Sequence, residues 1–93
     1  MECSQVIFSR HAVERMFQRE VSPEMILDLL QSGEVIASYP EDKPYPSVLL
    51  LGFANRQPVH LVVSRDHETG ACCLVTVYRP DPLLWGADFK TRS

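Results

Sequence analysis

The sequence lacks the short motifs that mark most nucleotide, cofactor and zinc sites. Its four glycines form no glycine-rich phosphate loop, and its three histidines form neither an HxxxH nor an HExxH motif. Cysteine is scarce as well, and no CxxC pair suggests a zinc site. Paired carboxylates are missing from suggestive positions, since Glu41 and Asp42 lie in a proline-rich loop. We therefore expect no metal ion and no cofactor.

Long hydrophobic runs are also absent. The longest apolar stretch is far shorter than a membrane span, and the N-terminus lacks the basic and apolar regions of a signal peptide. The three cysteines are Cys3, Cys72 and Cys73; the number is odd, and two adjacent residues cannot form an ordinary unstrained disulfide with each other. We interpret all three as reduced thiols. Together these features predict a soluble cytoplasmic protein with no membrane partner.

Positive charge is in short supply. The chain has 9 Lys and Arg against 12 Asp and Glu, which gives a formal net charge of −3 at pH 7. A protein that binds nucleic acid through bulk charge is usually basic, so the composition counts against that mode of binding. Seven of the cations are Arg, however, and the planar guanidinium suits specific contacts with phosphate or carboxylate.

What the sequence does contain is a globular composition of suitable size for one domain, with 93 residues of which 45% are hydrophobic. We expect a single domain over 1–93 with its core at about 5–80. The tail at 80–93 begins with prolines but is too apolar to be simply disordered, so we expect it to pack back on the domain. Its apolar residues are Leu83, Leu84, Trp85 and Phe89.

Hydrophobic periodicity predicts two helices that follow a first short strand at 5–8. Ser9 caps the first helix, and Ser22 with Pro23 gives a clear start signal for a second helix over 22–32. Later strands are predicted at 34–39, 47–54, 59–64 and 71–79. Short turns between consecutive strands favour an antiparallel meander. The expected fold class is α+β, in two layers, with the order β-α-α-β-β-β-β and both N-terminal helices packed on an antiparallel sheet.

One face of the first helix carries the residues that attract most attention. His11, Arg15 and Arg19 recur every four residues, so they form one stripe along the helix. One interpretation is an ordinary solvated face, in which Glu14 and Glu20 supply salt bridges. The other is a site for an anionic ligand, because unpaired arginines on consecutive turns repel each other and His11 lies near the helix N-terminus.

Two of the later strands contain further candidates. His60 lies in an apolar strand, where alternation places it on the face opposite Val59 and Leu61; it is either a hydrogen-bonded structural residue or an acid or base on an open sheet face. Tyr78 could stack on a base, donate a proton or simply border the core. Arg79 follows it and could hold a phosphate.

At this point several segments resemble the bacterial domain-of-unknown-function family 4258. The segments that carry the resemblance are SRHAVERM, SGEVI, LLLG, PVHLVV and VTVYRP, and the resemblance covers roughly residues 6–86. The family looks distantly related to the RelE-type and barnase-like small α+β domains, many of which are metal-independent endoribonucleases and toxins of toxin–antitoxin systems.

The resemblance implies a function and a set of site residues. The positions that match the family's polar motif, with Arg79 beside them, are His11, Arg15, Arg19, His60 and Tyr78. In a ribonuclease, His11 and His60 would share the acid and base roles, the arginines would hold phosphate, and Tyr78 would stack on a base. The implied partners are RNA and a cognate antitoxin or other protein. The alternative is a non-catalytic binding or regulatory module on the same fold. The catalytic assignment requires both histidines to face one cleft.

Overall fold

The computed structural model describes residues 1–92, and its element order agrees closely with the sequence prediction. The elements are β1 (Val6–Phe8), α1 (Arg10–Arg19), α2 (Pro23–Ser32), β2 (Glu34–Tyr39), β3 (Ser47–Ala54), β4 (Gln57–Arg65) and β5 (Cys72–Tyr78). The α+β class is therefore confirmed, with two helices and a five-stranded sheet.

The helices begin where their capping residues predict. The Ser9 hydroxyl accepts a hydrogen bond from the Ala12 N–H at 3.0 Å, and the Ser22 hydroxyl accepts one from the Met25 N–H at 3.2 Å. Each bond satisfies a backbone donor that the first helical turn leaves free. Pro23 then occupies the start of α2, where its missing N–H costs nothing.

The sheet has the strand order β1-β5-β4-β3-β2. Strands β2 to β5 form the predicted antiparallel meander. The sheet as a whole is mixed, because β1 pairs with β5 in the parallel direction. The prediction of an antiparallel sheet is thus confirmed for β2 to β5, whereas β1 runs parallel to its neighbour. The short hairpins that impose opposite directions on β2 to β5 do not join β1 to β5, so this pair is free to be parallel.

Both helices pack on one face of the sheet, where alternate strand residues form the core. Ala12 and Met16 bring α1 onto this face, and Leu29 brings α2 against β3. A Cβ atom on Gly52 of β3 would lie 2.5 Å from the Leu29 Cδ2 atom, so the missing side chain lets α2 approach closely. The sheet residues of this core are Leu50, Ala54, Val59, Leu61, Val63, Cys72, Leu74 and Val77.

The cysteines differ from the sequence prediction. Cys3 and Cys72 form a disulfide across 69 residues of chain, so the prediction of three reduced thiols was wrong and Cys73 alone is free. The side chains of the adjacent residues Cys72 and Cys73 point to opposite faces of β5. Cys72 therefore bonds to Cys3 in the N-terminal segment that leads into β1, and Cys73 does not. Disulfides are rare in a reducing cytoplasm, so the cytoplasmic expectation loses the thiol argument that supported it.

The C-terminal tail lies against the opposite, outer face of the sheet. The His60 Nε2 atom of β4 is 2.8 Å from the Phe89 carbonyl oxygen, and the His60 and Trp85 ring centroids are 4.5 Å apart in an edge-to-face arrangement. Lys90 adds an ion pair with Glu34 at 3.0 Å. Among the described residues, no helix has the length and apolar content needed to cross a membrane.

Candidate functional site

The polar stripe of α1 lies along the edge of β5. After β1 ends, the Ser9 N–H donates to the Leu74 carbonyl at 3.2 Å, and the Ser9 hydroxyl donates to the Val75 carbonyl at 3.1 Å. Two residues further, the His11 Nε2 atom is 3.1 Å from the Thr76 Oγ1 atom. The helix therefore continues along the sheet edge in place of the short strand that precedes it.

The far end of α1 stays beside the same strand. The Arg79 Nη2 atom, just after β5, donates to the Arg19 carbonyl at 3.4 Å. A cation suits this position because the C-terminal end of a helix dipole is partly negative. His11 meets Thr76 through its side chain and Arg19 meets Arg79 through its backbone carbonyl, and helical spacing places Arg15 between these two contacts. We call this region, formed by His11, Arg15, Arg19, Thr76 and Arg79, the edge site.

The edge site borders the outer face of the sheet. In the antiparallel register, Thr76 lies opposite Val62 and Tyr78 lies opposite His60, and these four residues share a face. The opposite face carries Val77 and the rest of the core. His11 thus reaches around the sheet edge to the face that also carries Tyr78.

The arginines of the edge site lack acidic partners. Across residues 1–92 the ion pairs are Arg10–Glu14, at 3.7 Å, and the tail pair already described. Arg15 donates instead to the neutral Gln18 side chain at 2.9 Å. The salt bridges that Glu14 and Glu20 were expected to supply to the stripe are not formed among residues 1–92, since Glu14 pairs with Arg10; an ordinary solvated face stays the alternative interpretation of the stripe.

Arg79 adds a more specific signal. Its Nη1 atom is buried and has no hydrogen-bond partner within the described part of the chain. Leaving a buried charged donor unpaired costs more than leaving a neutral one, so native proteins seldom do it without a reason. Because solvent does not reach Nη1, an anion at the edge site would instead be met by the other guanidinium donors of Arg79 and of its neighbours.

His60 lies on the outer face as alternation predicts, but that face is closed over it. Its side chain is fully buried, and Nδ1 is 3.2 Å from the Tyr78 hydroxyl while Nε2 contacts the Phe89 carbonyl. Burial lowers the pKa of His60 below its ordinary value, and the backbone hydrogen bond with Phe89 opposes this only in part. The imidazole is therefore neutral near pH 7, and the tail covers the open face expected for it.

Tyr78 is half-buried beside His60, and the two ring centroids are 5.2 Å apart. Burial raises the pKa of Tyr78 above its ordinary value; Tyr39 raises it further, and Arg92 opposes the rise. The Arg92 guanidinium also lies 5.9 Å from the centre of the Trp85 ring. Tyr78 thus keeps its proton at neutral pH and has a cation nearby.

The structure divides the candidate residues between two connected places. His11, Arg15, Arg19 and Arg79 lie at the edge site, while His60 lies beneath the tail with Tyr78 beside it on the same outer face. Thr76, the contact of His11, was not among the residues predicted from the sequence. The signal for Thr76 was its position two residues before Tyr78, which places both side chains on one face of a strand.

The tail contacts of His60 carried no comparable signal. The apolar composition of the tail predicted packing but not which residue the tail would cover.

No group of three or more potential metal ligands occurs among residues 1–92.

Comparison with known proteins gives one match. A family model described as "Domain of unknown function (DUF4258)" matches residues 8–79, which is well over half of the chain. No curated protein and no solved structure matches the chain. The matched range includes the whole edge site, His60 and Tyr78, and ends just before the tail that covers them.

Proposed function

This chain belongs to the DUF4258 family, and we propose from its edge site that it is a small endoribonuclease whose own side chains supply the chemistry. The observation that carries the proposal is an accessible imidazole beside three arginines without acidic partners. His11 supplies that imidazole, and the Arg79 guanidinium lies at the far end of the same stripe, where its Nη2 atom donates to the Arg19 carbonyl.

The proposed reaction uses the neighbouring 2′-hydroxyl of RNA as the nucleophile. His11 takes the proton of that hydroxyl, and the 2′-oxygen attacks phosphorus. The bond from phosphorus to the 5′-oxygen breaks, which leaves a 2′,3′-cyclic phosphate on one fragment. The departing 5′-oxygen takes a proton from water. Arg15, Arg19 and Arg79 stabilise the charge that builds on the phosphate oxygens.

His60 has a different role in this proposal from the one that its sequence position suggested. Its ring nitrogens are both engaged and its side chain is closed off by the tail, so it has no path to a substrate atom. We assign it as a positioning residue that holds Tyr78. A direct acid or base role for His60 remains a prediction that would require the tail to move away.

The test is cleavage of single-stranded RNA by purified protein in the presence of EDTA. We expect His11→Ala to lower the rate by about 100-fold or more, because a positioned general base contributes that much. The control is His67→Ala, which removes an exposed histidine from the turn between β4 and β5. Cyclic phosphate ends should appear with the wild type and with the control. Folded wild-type protein that leaves several RNAs intact, or an unimpaired His11→Ala variant, would refute the proposal.

The second candidate is a non-catalytic module that binds an anionic partner through the same residues. The burial of His60 favours it, because this leaves the edge site with one accessible imidazole where acid–base cleavage commonly uses two groups. This candidate predicts that wild-type protein binds RNA without cleaving it. It further predicts that Arg15→Gln and Arg79→Gln weaken that binding, most strongly at low salt.

A further inference from the structure

The hydrogen bonds around His60 fix the direction of every donor in the His60–Tyr78 pair. A backbone carbonyl can only accept, so the 2.8 Å contact with the Phe89 oxygen requires a proton on Nε2 of His60. A neutral imidazole carries one N–H, and burial keeps this ring neutral. Nδ1 therefore has a lone pair and no proton.

The protonation of His60 also determines the direction in which the Tyr78 hydroxyl donates. Its oxygen lies 3.2 Å from Nδ1, and a hydrogen bond at that contact requires the phenol to donate. The phenol has one proton, and that proton is committed to His60. The remaining capacity of the Tyr78 oxygen consists of lone pairs, which attract donors and repel phosphate oxygens. Tyr78 therefore cannot act as the proton donor that its residue type allows.

We propose that Tyr78 is a specificity residue whose oxygen accepts a hydrogen bond from a neutral hydroxyl or amino group of a nucleotide bound at the edge site. The inference rests on the proposed function only in taking the ligand to be a nucleotide. Geometry supports the pairing, because Thr76, the partner of His11, lies two residues before Tyr78 on the same face of β5. The arginines then hold the phosphate, while Tyr78 recognises a donor on the sugar or the base.

Two groups of a nucleotide could supply that donor. The ribose 2′-hydroxyl lies next to the 3′-phosphate and is what distinguishes RNA from DNA; its single proton is donated to Tyr78 in the bound ligand and passes to His11 only during cleavage, so the two contacts are made in succession. The exocyclic amino group of cytosine is a donor on the base, where uracil has a carbonyl acceptor. Both sources offer the same chemistry to the Tyr78 oxygen, and a set of small nucleotides separates them.

The first experiment determines the tautomer of His60 by nitrogen NMR on the wild-type protein at neutral pH. The expected spectrum is that of a neutral ring protonated at Nε2, with a correlation from Tyr78 to Nδ1. A ring protonated at Nδ1, or a charged ring, would overturn the inference. This measurement needs no variant and no ligand, so it is independent of folding defects and of any catalytic activity.

The second experiment measures binding of four probes by titration calorimetry. The probes are cytidine 3′-monophosphate, uridine 3′-monophosphate, 2′-deoxycytidine 3′-monophosphate and inorganic phosphate. We expect Tyr78→Phe to weaken only the probes that carry the recognised donor, by about 5- to 10-fold, the usual effect of one neutral hydrogen bond. The matched control is Tyr39→Phe, which removes a half-exposed tyrosine hydroxyl from the same sheet face.

The pattern of losses identifies the donor. A loss for both ribonucleotides but not for the deoxynucleotide assigns the 2′-hydroxyl, and a loss for both cytidine probes but not for the uridine probe assigns the amino group. Equal weakening of all four probes, no weakening of any, or no binding to the wild type would overturn the inference.

The proposed function fails separately from this inference. A protein that shows a selective pattern of binding and cleaves no RNA refutes the nuclease and leaves the role of Tyr78 standing. A protein that cleaves RNA while Tyr78→Phe discriminates no probe refutes the role of Tyr78 alone.

Discussion

Replacing His60 by glutamine should change how the stability of the domain depends on pH. The unfolded chain protonates this histidine near pH 6.5, but burial lowers its pKa in the folded protein. Below pH 6.5 the unfolded state therefore binds a proton that the folded state rejects. The free energy of unfolding must fall as the pH falls, by up to about 1.4 kcal/mol per pH unit, until the folded pKa is reached. Above pH 6.5 the effect is absent because both states are neutral.

The His60→Gln variant removes this proton while keeping a polar side chain. At about pH 7.5 we expect the variant to be less stable by about 1–3 kcal/mol, since the Tyr78 hydroxyl and the Phe89 carbonyl lose a well-placed partner. That deficit should shrink as the pH is lowered, because only the wild type loses stability through this group.

Urea unfolding followed by circular dichroism, from about pH 7.5 to about pH 5.5, measures both curves. The His67→Gln variant, altered at an exposed turn, serves as the control and should follow the wild type. A deficit for His60→Gln that stays constant over this range would refute the reasoning, because it would mean that His60 titrates alike in both states.

Two further predictions concern stability. Cys3→Ser should lower the free energy of unfolding by about 4 kcal/mol, because the disulfide closes a loop of 69 residues. A reductant should destabilise the wild type and leave the stability of this variant unchanged. A wild type whose stability does not respond to the reductant would contradict the disulfide. On adjacent positions of α1, Met16→Ala should cost about 2–5 kcal/mol since Met16 is buried, whereas Phe17→Ala should cost less than about 0.5 kcal/mol since Phe17 is 89% exposed. Similar losses in the two variants, measured by urea unfolding, would show that α1 packs through a different face.

The local elements were predictable because their signals are local. Ser9, Ser22 and Pro23 mark helix starts through bonds made within one turn, and the alternation in β3 to β5 reflects a single buried face. The parallel pairing of β1 and the disulfide were not predictable in the same way. Both join residues nearly 70 positions apart, and neither hydrophobic pattern nor cysteine count specifies such a partner.

In the candidate site, too, the local features were predictable from the sequence and the long-range contacts were not. Spacing alone placed His11, Arg15 and Arg19 on one stripe, and alternation alone placed His60 on the outer face. Whether the two regions meet depends on where α1 lies relative to the sheet and on what covers His60. The first is decided by the short length of β1, which lets the helix follow the edge of β5. The second is decided by Trp85 and Phe89 of the tail.

The position of α1 along β5 also bears on whether copies of this domain aggregate. An exposed sheet edge offers unpaired N–H and C=O groups to the strands of other molecules. Here β1 covers the first half of β5, and the Ser9 hydroxyl bonds to the Val75 carbonyl where β1 ends. At the opposite edge, β2 carries an irregularity between Val35 and Ala37 that interrupts its register. With one edge lined by a helix and the other broken, strand-to-strand association between molecules is disfavoured, so the domain should stay dispersed at concentrations where a flat-edged sheet would form fibrils.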